Sequence, residues 1–379
     1  MKIAGLTWWR NNYGSILQAY ALQSYLNSQD DIEYDIVCQF GKKIASIDNL
    51  KDKIKRLGFR ETIRKAFWKF FFRKLRKRNA SLQRFIDEKL VITGSAYNEE
   101  TIAELNKLYD AFICGSDQVW NPALVSTDSI YWLPFVDKDK YRIAYAPSIG
   151  ITKVDAKTAS AIKKNLERFD AVSCREESGT ELLNRICGKK VCTTVLDPTL
   201  LVERKLWDDI CGPRRIGEKY IFAYMLRGNS KQRRYIEAYA KKHHLKVVTM
   251  PFLDYEKIDP YDLVFGDIKI WDADPSAFIE LIRHAECVFT DSFHSMVFSI
   301  IYHRPFYVFP KIGKAQVNRQ TGLMDLFQID SRIINEADPD HCERMGTINW
   351  DRVDSILYEK RAVSQRYLTE ALDHIKGEV

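Results

Sequence analysis

The sequence predicts an α/β protein of two halves, each a parallel sheet doubly wound with helices, on three observations. Short apolar runs alternate with polar, helix-capable stretches along most of the chain, as strands and their covering helices do in a parallel sheet. The rhythm breaks at a polar stretch holding Gly212, Pro213 and Gly217, then restarts. The 379 residues, 46% of them hydrophobic, are enough for two cores at roughly 100–200 residues per domain. The expected units are 1–205 and 218–350, with the boundary between 202 and 218, followed by a C-terminal helix over 351–379 that could pack across either half.

Taken in order, Lys2 to Thr7 is a short apolar strand, Asn11 to Ser15 a turn, and Ile16 to Leu26 an apolar repeat at helical spacing. Ile32 to Cys38 gives a second strand. Ala111 to Cys114 gives a third, stopped abruptly by Gly115-Ser116-Asp117. Tyr141 to Ala146, Ala171 to Cys174 and Val191 to Leu196 continue the first half, which closes near Asp197-Pro198. The second half reads as strand Tyr220 to Leu226, a helix to His244, strand Leu245 to Met250, helix Pro275 to His284, strand Cys287 to Thr290, helix Ser295 to Tyr302 and strand Pro305 to Phe309. Asp351 to Ile375 is the final helix.

Composition narrows the function classes. No apolar run approaches the ~18–20 residues that span a bilayer, and the start MKIAGLTWWRNN has no signal-peptide block, so the expectation is a cytoplasmic chain beginning at Met1. Eight cysteines without a C-x-x-C pair, several inside apolar runs, suggest packed free thiols rather than zinc or disulfides. Between Lys51 and Arg78 stand thirteen Lys or Arg against Asp52 and Glu61, a local +11 that exceeds the whole chain's +7. The basic character therefore belongs to one segment. With Ile63, Phe67, Phe70 and Phe71 at helical spacing among Arg64, Lys65, Arg73 and Lys77, it reads as a basic amphipathic helix. Such a helix suits an anionic membrane face, or it packs its aromatic stripe on the domain. No recognition motif for nucleic acid accompanies the charge, so nucleic acid is not expected as a partner.

Ligands of open parallel sheets bind beyond the carboxyl ends of the strands, and four polar clusters follow strands directly. Asn12, Tyr13, Gly14 and Ser15, with Gln18 a turn later, offer a helix N-terminus to an anion or a hydroxyl-rich ligand; the same residues would serve as an ordinary helix start capped by Asn12 or Ser15. Ser116, Asp117, Gln118, Trp120 and Asn121 combine hydroxyl, carboxylate, amide and indole. That mixture suits a sugar, whose hydroxyls pair with acids and amides and whose apolar face lies on an aromatic ring; a turn capped by Asp117 is the plainer reading. Arg175 leaves a strand beside Glu176 and Glu177, where it grips either an anion or one of those acids. His294, between Ser292 and Ser295 at a strand-to-helix turn, sits where the helix dipole disfavours imidazolium, as a general base or proton shuttle requires, or merely caps the helix. Arg227 and Asn229, after the first strand of the second half, repeat the anion-seat logic. The other histidines show no metal-ligand spacing, and no metal site is expected. G-x-G-x-x-G, P-loop, G-x-S-x-G and kinase signatures are absent.

The constellation N-Y-G-S-x-L-Q, G-S-D-Q-V-W-N-P, S-C-R-E-E-S, L-D-P-T-L and T-D-S-F-H-S, in that order over roughly residues 1 to 310, resembles the polysaccharide pyruvyl transferase family. The resemblance implies two facing Rossmann-like domains of GT-B type, with an acceptor side in the first half and a donor side in the second. It also implies transfer of pyruvate from phosphoenolpyruvate to two hydroxyls of a sugar, as a cyclic ketal, in bacterial surface glycan synthesis. No cofactor beyond that donor is implied. The family's histidine falls on His294 and its donor-binding arginine on Arg175; Asp117 would bind or deprotonate an acceptor hydroxyl. Several members carry Arg-Leu-His where this chain has Ser292-Phe293-His294, so a cation is missing and Arg227 is its candidate replacement. A lipid-linked acceptor would give the basic segment a role at the inner face of the membrane. A nucleotide-sugar glycosyltransferase on the same scaffold, and a non-catalytic glycan-assembly or membrane-docking protein, are the alternatives.

Overall fold

The computed structural model describes residues 1–39, 61–227, 229–251, 260–310 and 314–377; for residues 61–71, 260, 263, 314–318 and 376 it describes the backbone alone. Among these residues seven strands form the first sheet: β1 Lys2–Leu6, β2 Glu33–Gln39, β3 Ile92–Tyr97, β4 Ala111–Cys114, β5 Tyr141–Ala144, β6 Ala171–Cys174 and β7 Thr193–Thr194. All pair in parallel, in the order β3-β2-β1-β4-β5-β6-β7. The order reverses between β1 and β4, so their carboxyl ends flank a crevice that no connection covers. The second sheet, β8 Tyr220–Tyr224, β9 Lys246–Thr249, β10 Ile268–Lys269, β11 Cys287–Thr290 and β12 Phe306–Val308, is likewise parallel, in the order β10-β9-β8-β11-β12. Its crevice opens between β8 and β11.

Helices α1 Tyr13–Leu26, α2 Glu61–Lys89, α3 Ala156–Leu166, α4 Glu177–Cys187, α5 Pro198–Leu201 and α6 Arg204–Ile210 belong to the first half; α7 Ser230–Lys242, α8 Pro275–Arg283, α9 Phe293–Ile301 and α10 Lys314–Leu326 follow in the second. Helix α1 starts where Asn12 accepts the Gly14 N–H, and it is buried nearly all round, as its apolar composition requires. It packs on α5 and on α8, so it belongs to both halves. Tyr13 shows why: its ring stacks on Phe278 at 5.4 Å, meets Tyr224 edge-on at 6.0 Å, and its hydroxyl donates to the Ala273 carbonyl. One apolar core accordingly runs from Ile3 and Leu17 through Trp207 to Phe278 and Phe298.

The C-terminal helix α11, Trp350–Lys376, crosses from one half to the other. Trp350 stacks on His303 and Asp354 meets that imidazole at 2.8 Å, both at the second half. Further along, the Tyr367 hydroxyl donates to the Ala144 carbonyl and Ser364 Oγ accepts the Leu196 N–H, both in the first half.

The segment expected as a helix over 51–78 is helical from Glu61 to Lys89; residues 51–60, and the side chains of Ile63, Arg64, Lys65, Phe67, Phe70 and Phe71, lie outside the described residues. All eight cysteines are free. Among the described residues no helix is long and apolar enough to cross a membrane.

Candidate active site between the two sheets

The centre of the site is a carboxylate that the sequence reading passed over. Asp197 begins α5: its Oδ1 accepts the Thr199 N–H and hydroxyl, and Pro198 at the first helical position loses no hydrogen bond there. That fixes Oδ2 toward the crevice, where Arg175 Nη1 donates to it at 2.6 Å, Ser116 Oγ donates at 3.3 Å and His294 Nε2 stands 3.7 Å away. Arg175 and Asp197 leave β6 and β7 of the first half, whereas His294 lies in the first turn of α9 in the second. The two halves thus face each other across the Asp197 carboxylate and the His294 imidazole. Burial alone would raise the Asp197 carboxyl, but His294, Arg175 and Thr199 outweigh it and hold it well below the usual carboxylate range. Burial likewise opposes the Arg175 charge, and Asp197, Glu176 and Asp117 more than restore it.

Arg175 keeps capacity to spare. Among the described residues its Nε and Nη2 are buried without a hydrogen-bond partner, and the Phe293 ring covers the guanidinium at 4.3 Å. A cavity of ≈ 610 Å³ opens beside it, lined by Arg175, Asp197, Phe293, Leu326, Ser364 and Arg319. Arg319, on α10, is 8% exposed. Burial and, after it, the charge on Arg175 lower its pKa to about 10, against the opposing pull of Glu176 and Asp117. Two guanidiniums turned to one cavity, repelling each other and incompletely paired, are the donor set that a small multiply charged anion satisfies. Among the described residues no group of three or more His, Cys, Asp or Glu side chains is placed to hold a metal ion.

Behind His294 lies Gly14. A methyl group at that position would sit 2.1 Å from His294 Nδ1, so only glycine lets the start of α1 abut the imidazole. The next residue, Ser15, donates to Asp117 Oδ2 at 2.5 Å, while Asp117 Oδ1 accepts the Gln118 N–H. Asp117 itself has φ +68°, a left-handed conformation that Asp tolerates better than most residues. Asn12, Gly14, Ser15, Ser116, Asp117, Gln118, Arg175 and His294 therefore gather at one crevice. Ser292, at the start of α9, and Ser295, whose hydroxyl is buried without a partner among the described residues, flank the imidazole.

Other expected residues have different duties. Trp120 does not offer a face to a sugar: it stacks on Trp132 at 4.3 Å, donates to the Tyr131 carbonyl and is 1% exposed. Tyr13 is spent on the joint between the halves. Buried Gln18 pins the loops after β1 and β4 together, donating to Thr7 Oγ1, the Trp8 carbonyl and the Ser15 carbonyl while accepting the Ser116 N–H. Asn121 is likewise buried and donates to Gln118. Asn229 caps α7 in a capping box with Gln232, and Arg227 is exposed, its backbone N–H bound by Asp291. Arg227 does not line the cavity beside Arg175, whereas Arg319 does.

Two facing Rossmann-like domains with their functional side chains at the strand ends between them define a protein of the GT-B type. Solved structures agree on the fold: a UDP-N-acetylglucosamine 2-epimerase from Rickettsia bellii matches at TM-score 0.57 and 11% identity, covering 99% of this chain and 97% of that one. A further UDP-N-acetylglucosamine 2-epimerase matches at TM-score 0.53 and 11% identity, over 98% and 95%. The chain belongs to the polysaccharide pyruvyl transferase family, whose model matches residues 12–310. No curated protein sequence matches it significantly.

Proposed function

We propose that the protein transfers pyruvate from phosphoenolpyruvate to two hydroxyls of a sugar, forming a cyclic ketal in bacterial surface glycan synthesis. The observation that carries the proposal is the convergence of Arg175 and His294 on Asp197 at the wall of a cavity that also takes Arg319. Phosphoenolpyruvate has a phosphate and a carboxylate a few bonds apart, and two guanidiniums match two anionic ends.

The steps balance as follows. C3 of the enol takes a proton, which leaves C2 electrophilic; one sugar hydroxyl adds to C2 and gives up its proton; the C2–O bond to phosphate breaks; the second hydroxyl adds and gives up its proton. Of the two protons leaving the sugar, one balances C3 and the other leaves on phosphate. His294 would move them, its Nε2 standing 3.7 Å from the Asp197 carboxylate. Arg175 and Arg319 hold the donor, and Asp117 receives an acceptor hydroxyl. A lipid-linked acceptor would bring the protein to the inner face of the cell membrane, where the basic segment would adsorb; on α2, Arg73, Arg76 and Lys77 are exposed. Salt-sensitive sedimentation with anionic liposomes registers that contact.

Calorimetry with phosphoenolpyruvate tests the donor: binding to the wild type and its loss in Arg175→Ala, with folding checked by circular dichroism, are expected. Absence of binding to the wild type, or release of a nucleotide from a sugar donor in place of phosphate from phosphoenolpyruvate, overturns the reading.

A further inference from the structure

Glu176 has no part in the steps above, yet it lines the same ≈ 610 Å³ cavity as Arg175 and Arg319. It stands where α4 begins, but its side chain does not cap that helix. Its Oε1 instead accepts the Ser148 hydroxyl at 3.0 Å and the Gly150 N–H at 2.8 Å, so the loop after β5 fixes the carboxyl group. Oε2 is left buried and without a hydrogen-bond partner among the described residues. A carboxylate oxygen stranded at the wall of a ligand cavity costs free energy until a donor reaches it.

The neighbours of Glu176 decide which charge it can carry. Arg175 and Arg319 lie within its field and favour the ionised form. Glu177 and Glu181 from α4 and Asp325 from α10 line the cavity with the opposite sign, and Lys360 from α11 adds one more cation. The two thiols that feel its charge, Cys174 and Cys192, are pushed up by burial, Cys192 to about 12, and stay neutral. A multiply charged anion reverses this balance. Once its oxygens accept from the two guanidiniums, their charge is matched by the anion, whose remaining charge then faces Oε2 across the same cavity. A carboxylate and an anion share such a site when a proton lies between them, as two adjacent carboxylates do.

We infer that Glu176 takes up a proton from solvent as phosphoenolpyruvate enters, and that its Oε2–H then donates to an oxygen of the donor. This rests on the donor reading above and adds to it a specificity residue and a proton linkage. The complex holds one proton more than the separate protein and ligand, so affinity falls as pH rises. The slope is about tenfold per pH unit wherever Glu176 is ionised in the empty cavity and protonated in the filled one.

The experiment is calorimetry of phosphoenolpyruvate with the full chain, in buffers of different ionisation heat, over a pH range in which the free ligand is fully ionised. The wild type should take up about one proton per ligand bound, and its affinity should fall with pH at the slope given. Glu176→Gln keeps an acceptor oxygen for Ser148 and Gly150 and turns an amide N–H to the cavity in place of the acid O–H. It should bind without that proton uptake, with a flat pH profile, and about tenfold or more tightly than the wild type at the upper end of the range. Glu177→Gln, at an exposed position in the same wall, should keep the wild-type slope. Binding by the wild type without proton uptake, a count that needs no variant, shows the assignment to be wrong while the donor reading stands. So does a Glu176→Gln protein, folded by circular dichroism, that retains the wild-type slope. If the wild type does not bind phosphoenolpyruvate at any pH, the donor reading falls and this one with it.

Discussion

At Gly14 one hydrogen atom is all the space the fold allows between helix α1 and the His294 ring. Gly14→Ala must push the imidazole off its place between Asp197 and α1 while disturbing little else, since alanine is the better helix former. Turnover should fall by at least ~10²-fold, the contribution of a placed proton shuttle, with the far-ultraviolet spectrum unchanged; a rate near wild type removes His294 from the mechanism. Arg319 calls for the opposite pairing of effects. Its charge is disfavoured in the folded state by burial and by Arg175, so Arg319→Gln should raise the stability of the ligand-free protein, on the order of 1–3 kcal/mol, while phosphoenolpyruvate binding weakens. Chemical denaturation beside calorimetry checks both at once. The sequence made His294, Arg175 and Asp117 legible because each follows a strand in a polar cluster. Asp197 read only as the close of the first half, since Asp-Pro after a strand is equally a helix start, and the side chain's second oxygen is visible only in three dimensions.

At the level of elements, the strand ends did most of the work. Strand β3, ITGSAY, went unread because an edge strand covered on one side carries little apolar signal, and two-residue β10 carries less. Helix α10, which delivers Arg319, has almost no apolar periodicity and a glycine at 322, so neither the helix nor its arginine could be found by spacing. Trp120 misled for a related reason. An indole among polar residues suits a sugar or a core equally, and only the parallel stack on Trp132 decides. Helix α11 was legible by its length, but its grip was not: Tyr367 and Ser364 tie it to the backbone at Ala144 and Leu196, next to the turn that aims Asp197. Tyr367→Phe should cost about 1 kcal/mol in urea unfolding, the worth of one buried hydrogen bond; a neutral result assigns the clasp to Ser364 and apolar contacts.

On the scale of the whole molecule, two rhythms along the chain promised two domains, and two sheets are there. What patterning could not convey is that their cores merge through Tyr13, Trp207 and Phe278, because an apolar residue carries no mark of which partner it will meet. Interfaces between domains of one chain are commonly modest and wet; this one is a continuous interior. The protein should therefore unfold in a single transition, with circular dichroism and tryptophan fluorescence coinciding, and Phe278→Ala should cost about 3–5 kcal/mol and pull the two probes apart. Two separated transitions in the wild type would contradict the merged core. The Gly14 and His294 contact adds a last consequence. Because one lobe furnishes the floor on which the other lobe's imidazole rests, chemical competence doubles as a gauge of docking: with a shared interior, turnover should vanish in the same denaturant step that melts the helices and strands, and not before it.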